Sequence, residues 1–345
     1  MTYSDIKQKL KNSNSLLAKY LTNEVFEKLK DKTTSDGYTL LQAINSGLEN
    51  PDSGIGVYAL DEESYSTFKE LFDPIIQEYH KFSSEDHHKS NFNPDDLNAP
   101  NPDPTDEYIV STRIRVGRNI KDIPLGTVIS NEQRNKIEKD VSSTLSSFSD
   151  DLAGKYYPLN NMNNEDRESL IKDHFLFKAG DRFLEAAGLN RDWPNGRGIY
   201  HNNDKTFLVW INEEDQLRII SMQNGGDIKE VFTRLHKAVK LLEDKLQFAY
   251  NDHIGYITSC PTNLGTAMRA SVHIRLPKLG KNMNQFKEIA NRYNVQIRGI
   301  DGEHSKSVGG IYDISNKRRL GVTEVECVQD MYDGVVALIE AERSL

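Results

Sequence analysis

Apolar residues recur at steps of three and four over the first eighty positions. Leu16, Leu17, Tyr20, Leu21, Val25, Phe26 and Leu29 form one series, and Tyr65, Phe68, Leu71, Phe72, Ile75, Ile76 and Tyr79 form another. That spacing lines side chains along one face of a helix, so the pattern predicts helices with the aromatics as core. Between the two series, Asn50-Pro51-Asp52-Ser53-Gly54-Ile55-Gly56 breaks the period with turn formers, a patch the helices should present at the surface. From Ser83 to Glu107 apolar positions almost vanish and Pro94, Pro100, Pro102 and Pro104 interrupt the chain. This run reads as an inter-domain linker. His80, His87 and His88 sit in or beside it, in sequence that reads as solvated and without the spacing of a metal site.

Beyond the linker the period changes to two. Tyr108 to Val116, Thr206 to Ile211, Gln216 to Met222, Ala267 to Leu276 and Val295 to Arg298 are rich in β-branched residues and mostly alternate in polarity, which predicts strands. Helices intervene. Ser130 with Gln133 predicts a capping box, Asp227 an N-cap, and Thr323 with Glu326 the start of a last helix. The turn at Asn212 to Asp215 should join two strands as a hairpin, so at least part of the sheet is antiparallel. The expected organisation is a small helical N-terminal domain over 1–82, a linker over 83–107 and a larger α+β domain over 108–345.

Alternation also places arginines. In Ser111 to Val116 the apolar face holds Val110, Thr112, Ile114 and Val116, so Arg113 and Arg115 project together from the other. In the next such strand Met268, Ala270, Val272, Ile274 and Leu276 face one way and Arg269, Ser271, His273 and Arg275 the other. Arg218 and Arg298 repeat the theme. A row of like charges on a sheet face stabilises little, whereas a planar fork of donors clamps phosphate bidentately. The plain alternative is a solvated face with scattered ion pairs. Two carboxylates complement the arginines: Glu214 in the hairpin turn, and Glu303 in a polar loop over 299–310 bounded by glycines, which reads as a lid. Cys260 precedes Pro261 just before an arginine-bearing strand, where cationic neighbours could make it a thiolate.

Composition narrows the partners. The 345 residues carry 43 Lys+Arg against 52 Asp+Glu, a formal charge of −9, so no global basic field is available for nucleic acid or anionic lipid. No apolar run approaches the ~18 residues a membrane span needs. Two cysteines, Cys260 and Cys327, far apart, suit a reducing compartment and a cytoplasmic location. The Walker and protein-kinase signatures are absent, and Gly54-x-Gly56-x-x-Ala59 lacks the strand-turn-helix context of a dinucleotide fingerprint.

With these residues in view, the chain resembles the phosphagen (guanidino) kinases, most closely the arginine-specific branch. The resemblance runs through LAKYLTNEVFEKLKDK, SGIGVY, STRIRVGR, DHFLFKAGDRFL, GRGIYHNNDKTFLVWINEEDQLRIISMQ, CPTNLGTAMRASVHIRLPKL and VQIRGIDGEHSKSVGGIYDISNKRRLG. It implies a helical N-terminal domain, a larger domain with a mainly antiparallel sheet, and reversible transfer of the γ-phosphoryl of MgATP to the guanidino group of L-arginine. On that resemblance Ser111, Thr112, Arg113, Ile114, Arg115, His174, Arg218, Arg269, Ala270, Ser271, Val272, His273 and Arg298 would bind ATP or ADP, together with Gly299, Ile300, Asp301, Gly302 and Glu303 of the lid. Glu214, Glu303, Arg218, Arg269 and Arg298 would be catalytic. Ser53, Gly54, Ile55, Gly56, Val57 and Tyr58 would receive the amino-acid end of the substrate, with Glu214, Cys260 and Glu303 on its guanidinium and Asp52 pairing with Arg182 between domains. Mg²⁺ would be held by phosphate and water with no protein ligand, and the protein would be a monomer.

Ile300, Asp301 and Ser259 depart from that branch, where threonine, arginine and phenylalanine are usual. Creatine, taurocyamine and lombricine kinases are the alternatives within the family, and an inactive nucleotide-binding scaffold the alternative outside it. The scaffold would be expected to have lost one of the arginines or carboxylates, and every one is present.

Overall fold

The computed structural model describes residues 1–172, 175–177, 179–299 and 309–345. Its N-terminal part is built from short helices: α1 (Tyr3–Lys9), α2 (Leu16–Tyr20), α3 (Asn23–Leu29), α4 (Leu40–Glu49), α5 (Ser64–Thr67) and α6 (Lys69–His80). Each predicted stripe is divided. Thr22 turns its side chain to the Val25 amide as an N-cap, starting α3 separately from α2, and Phe68 separates α5 from α6. Apart from Tyr79, which is exposed near the end of α6, the apolar positions of both stripes still meet in one core, which also takes Leu125, Ala249, Ile254, Ile257, Leu264 and Leu320 from the rest of the chain. Each such fully buried Leu, Ile or Phe contributes roughly 1.5–3 kcal/mol. The N-terminal helices are therefore seated on the larger part.

That part is organised by an antiparallel sheet. Its strands are β1 (Ile109–Arg118), β2 (Gly154–Pro158), β3 (Gly198–Asn202), β4 (Phe207–Ile211), β5 (Leu217–Asn224), β8 (Met268–Arg275), β9 (Val295–Arg298) and β10 (Ile311–Asn316), with β6 (Tyr250–Asn251) and β7 (Gly255–Tyr256) forming a separate ribbon. The order is β2-β3-β4-β5-β1-β8-β10-β9. One face packs on α7 (Asn131–Leu145), α8 (Ile228–Glu243), α9 (Met283–Arg292) and α10 (Glu324–Ser344). The expected caps are present: Ser130 and Gln133 form a reciprocal box, Asp227 accepts from the Glu230 amide, and Thr323 boxes with Glu326. The hairpin also forms, between β4 and β5, with Asn212 at φ 57° opening its turn.

One stretch of the sequence reading needs correction. The run from Ser83 to Glu107 is irregular but not loose. Leu97 and Ala99 are buried in the sheet-helix core, Asp103 accepts the Tyr108 and Ile109 amides at 2.7 Å, and Ser90 and Asn91 donate to the buried Glu324. Prolines and polar residues are used here for specific backbone bonds, so low apolar content does not mean exposure. For the same reason His88 is buried, its Nδ1 accepting the Gly321 amide, and His80 bonds the Pro261 carbonyl.

Candidate active site

Cross-strand register turns the alternation into a surface. Arg115 of β1 lies opposite Arg269 of β8, Arg113 opposite Ser271, Ser111 opposite His273, and Gly117 opposite Arg218 of β5. On the outer side Asp313 of β10 lies opposite both His273 and Arg298. Paired positions share a sheet face, so β1, β5, β8 and β9 gather Arg113, Arg115, Arg218, Arg269, Arg298, His273, Ser111 and Ser271 on the side away from the helix-covered core. The far half of that same face is apolar. Ile199, Leu208, Trp210 and Ile220 are covered there by Leu159, Leu176 and Phe177. Trp210 marks the seam, with the Arg113 and Arg218 guanidinia 5.4 and 5.5 Å from its ring centre.

The arginines are not equivalent. Arg218 Nη1 and Nη2 bond Glu213 Oε2 at 2.9 Å and Glu214 Oε2 at 3.1 Å. Arg269 is bonded to Asp313, whose other oxygen lies 3.3 Å from His273 Nε2. Burial pushes the Asp313 carboxyl up, but the hydrogen bond to His273 and the Arg269 charge outweigh it and hold it below the ordinary range. Among the described residues, Arg113 and Arg115 have no carboxylate within ion-pair distance, and the Arg113 Nε is buried without a hydrogen-bond partner. Burial, with the charges of Arg218 and Arg269, pushes Arg113 down to about 10, and Arg115 is pushed well below its usual value by the same causes. A buried charge without a counter-ion is costly to hold. The arrangement is matched to an anion with several charges.

Next to this cationic half lies an acidic one. The β4–β5 turn carries Glu213, Glu214 and Asp215 in sequence. Burial is the largest influence on Glu214, opposed by Arg218 and reinforced by Asp215 and Glu213, and its carboxyl is pushed up to about 7. Asp215 is anchored by Asn119 Nδ2 at 2.8 Å and the Ser259 amide at 2.9 Å. Cys260 and Tyr58 pack together with Ala187 and Leu189, so the wall facing Glu214 comes from both parts of the chain. The glycine loop reaches this wall through backbone bonds: the Tyr58 amide to the Ala43 carbonyl at 2.9 Å, and the Ala59 amide to the Ser259 carbonyl at 2.8 Å. Gly56, at φ 81°, passes so close to Leu17 that a Cβ would lie 2.8 Å from the Leu17 Cβ, whereas Gly54 faces open space. Arg182 is bonded to Asp52 and, at 2.9 Å, to Asn50.

Several residues taken whole from the resemblance do not point their side chains into this site. Thr112, Ile114, Ala270 and Val272 lie on the other face of their strands, the last three in the sheet-helix core and Thr112 bonded to the Gly225 carbonyl; only their backbone is near. Val57 is buried in the N-terminal core. Arg275 is exposed at the end of β8. His174, Ile300, Asp301, Gly302 and Glu303 lie outside the described residues.

Three residues were missed: Asp313, the counter-ion of Arg269; Arg319, which is bonded to Asn263 and adds its charge beside Arg115; and Arg197. Arg197 is fully buried and donates to the carbonyls of Asn212, Asn195, Leu189 and Arg191 at 2.8–3.1 Å, tying the start of the acidic turn to the Leu189 wall. The lone acid inside the β-branched run Ile311–Asn316 was the available signal for the first.

The Cys260 reading changes in kind. Its Sγ is 3.1 Å from Thr262 Oγ1, and burial together with the nearby Glu214 charge pushes the thiol up to about 12, so in this arrangement it is a neutral thiol. A cation seated between Cys260 and Glu214 would act in the opposite direction. Cys260→Ser is therefore expected to lower turnover roughly tenfold, the rate equivalent of one perturbed polar contact, without abolishing it. Steady-state kinetics check this; complete loss would give the sulfur a covalent role.

Comparison with known proteins places the chain. The family description "ATP:guanido phosphotransferase, C-terminal catalytic domain" matches residues 136–345 and the corresponding N-terminal domain matches residues 11–77. An arginine kinase of the sea anemone Anthopleura japonica is 57% identical over 336 residues, 96% of this chain and 47% of that protein. Arginine kinase Lit v 2.0101 of the shrimp Penaeus vannamei is 54% identical over 332 residues, 96% of this chain and 93% of that protein. Among solved structures, the duplicated taurocyamine kinase from Schistosoma mansoni with bound transition state analog components superposes with a TM-score of 0.93 at 44% identity, covering 99% of this chain and 48% of that one. The chain thus spans about half the length of the sea anemone and Schistosoma proteins and nearly all of the shrimp one.

Proposed function

The chain belongs to the ATP:guanido phosphotransferase family, and from that premise we propose that it transfers the γ-phosphoryl of MgATP reversibly to L-arginine, giving phosphoarginine and ADP. One observation carries the reading: Arg113 and Arg115, half-buried and without a carboxylate partner among the described residues, stand beside a half-buried acidic turn, and Arg218 bonds that turn while adding its charge to theirs. That is a site for a polyanion meeting a cation. Relatives named arginine kinase over 96% of the chain support arginine as the cation.

In this reading Arg113, Arg115, Arg218, Arg269 and Arg298 hold the nucleotide phosphates and neutralise charge on the phosphoryl in flight. Ser111 and His273 are assigned to the nucleoside end, and so, on the family resemblance, are His174 and residues 299–303. Glu214 and Glu303 grip the guanidinium and orient the attacking nitrogen, while Tyr58 and the Gly54–Gly56 backbone receive the α-amino and carboxylate groups. Holding both reactants in line is the larger part of the work, since phosphoryl transfer needs little covalent help. Asp313 and Glu213 are each engaged by arginine. With those carboxylates taken, a Mg²⁺ would be held by the nucleotide's phosphate oxygens and water, and would supply charge neutralisation there. The division at residues 82 and 108, action as a monomer, and a cytoplasmic location belong to the same proposal. No helix among the described residues is long and apolar enough to cross a membrane.

A coupled assay of ADP release with ATP and a panel of guanidino compounds tests it. L-Arginine is expected to give the highest kcat/KM, above creatine, taurocyamine, lombricine and D-arginine, because an unpaired polar group in the pocket is penalised more than the ~1–3 kcal/mol of a missing methylene. Preference for taurocyamine or creatine would move the assignment within the family.

A further inference from the structure

The segment Thr258–Cys260 is fully engaged by its neighbours. Tyr65 donates its hydroxyl to the Thr258 carbonyl at 2.8 Å, and Ala59, the residue after Tyr58, donates its amide to the Ser259 carbonyl at 2.8 Å. The Ser259 amide donates to Asp215 Oδ1 at 2.9 Å. Its hydroxyl lies 3.2 Å from the Glu214 carbonyl oxygen and donates to it. Ser259 is 0% exposed. A single residue thus touches the substrate loop, the acidic turn on two consecutive residues and, covalently, Cys260.

The Glu214 peptide stands outside the strand ladder. The β4–β5 pairing ends at Ile211 and Leu217, and Asn212 closes the turn by bonding Gln216. Glu214 receives its backbone support from Glu213, whose carboxylate accepts the Glu214 amide at 2.8 Å, and from Ser259 on the carbonyl side. Glu213 is shared with Arg218, so it responds to whatever Arg218 binds. The Ser259 hydroxyl, unlike the Ser259 amide on Asp215, bonds no titratable side chain among the described residues.

We propose that the Ser259 hydroxyl is a positioning residue for phosphoryl transfer, setting the height of the Glu214 carboxylate against the Tyr58 loop and thereby the fit of the guanidino substrate. The inference rests on the reading of function above and goes beyond it, because it locates substrate discrimination in a buried hydroxyl that bonds the Glu214 peptide. A misplaced carboxylate should slow alignment of the nitrogen without weakening the nucleotide site.

The test compares wild type, Ser259→Ala and Ser259→Thr in the coupled assay, with L- and D-arginine as substrates and thermal unfolding alongside. Ser259→Ala is expected to lower kcat for L-arginine roughly tenfold, to leave KM for MgATP within about twofold, and to narrow the preference for L- over D-arginine, the pattern of a lost alignment contact. Ser259→Thr, which keeps the hydroxyl, is expected to restore kcat and the preference. A Ser259→Ala enzyme with wild-type kcat and preference overturns the inference. So does one that loses thermal stability and activity in proportion with its preference intact, which is the signature of a merely structural side chain. If wild type turns over a different guanidino compound best, the function reading is revised and the same comparison is made on that compound. A wild type inert toward all of them overturns both.

Discussion

Replacing Arg269 with alanine is expected to leave the sheet folded and to cut kcat by roughly 10² or more, the scale of removing one preorganised charge partner of a transition state. The fold should tolerate the change because Arg269 projects from the face opposite the helix-covered core, and Asp313, its partner, keeps His273. The chemistry should not, because Arg269 stands directly across from Arg115, where the unpaired positive charge is concentrated. Ordinary circular dichroism with kcat at saturating substrates makes the measurement. Arg269→Lys should recover only part of the loss, since an ammonium offers a point charge in place of a planar fork. Near-normal turnover in Arg269→Ala would remove the sheet face from the phosphate site.

Glu214→Gln is the companion experiment on the acidic half, with an expected loss in kcat/KM of similar size or larger. The amide fills the same volume and Arg218 retains Glu213, so the loss isolates the charge. The pH dependence follows from the same carboxyl. Burial raises it from an ordinary 4.5 to about 7. Below about pH 7 the free protein holds this proton, and a guanidinium must displace it, so apparent affinity for the guanidino substrate should fall toward tenfold per pH unit as the pH drops. Calorimetry in two buffers of different ionisation enthalpy should register proton release on binding near pH 6, and none in Glu214→Gln. The stability sign is the reverse. Between about 4.5 and 7 the folded state binds more protons than the unfolded chain at this carboxyl, so its contribution to stability declines as pH rises through that window.

What could be read in advance followed the strength of alternation. β1, β4, β5, β8 and β9 alternate or are rich in β-branched residues, and all five were expected. β10 was missed although Tyr312 and Ile314 alternate with Asp313 and Ser315, because the run is only six residues long and directly follows the glycine-bounded polar loop, and with it went Asp313. β2 and β3 are five residues each, begin with glycine and have no β-branched run to announce them. The arginine face was legible for a physical reason: a charge on a strand with one apolar face has to emerge from the other. The same rule already placed Thr112, Ile114, Ala270 and Val272 on the core side, and the resemblance swept them into the site only by quoting whole segments. Arg197 and Ser259 could not be read, since their roles exist only through carbonyls brought near by the turn. The charge of Cys260 could not be read from its local sequence, because the charged group that acts on it most is Glu214, 46 positions away.

The two-sided pairing of β1 has an evolutionary consequence. Arg113 and Arg115 alternate with Thr112, Ile114 and Val116 while β1 is hydrogen-bonded to β5 on one side and β8 on the other. A single-residue insertion or deletion within β1 would exchange the two faces, driving both guanidinia into the sheet-helix core and the apolar side chains into the site. Uncompensated burial of two charges, at several kcal/mol each, would take up much of the ~5–15 kcal/mol by which such a domain is stable. Length variation is therefore forbidden in the catalytic strands and tolerated at their ends. If the proposed function holds, diversification toward new guanidino substrates has its open routes in the glycine loop, the acidic turn and the segment before Cys260, where a change of reach leaves the arginine face in register.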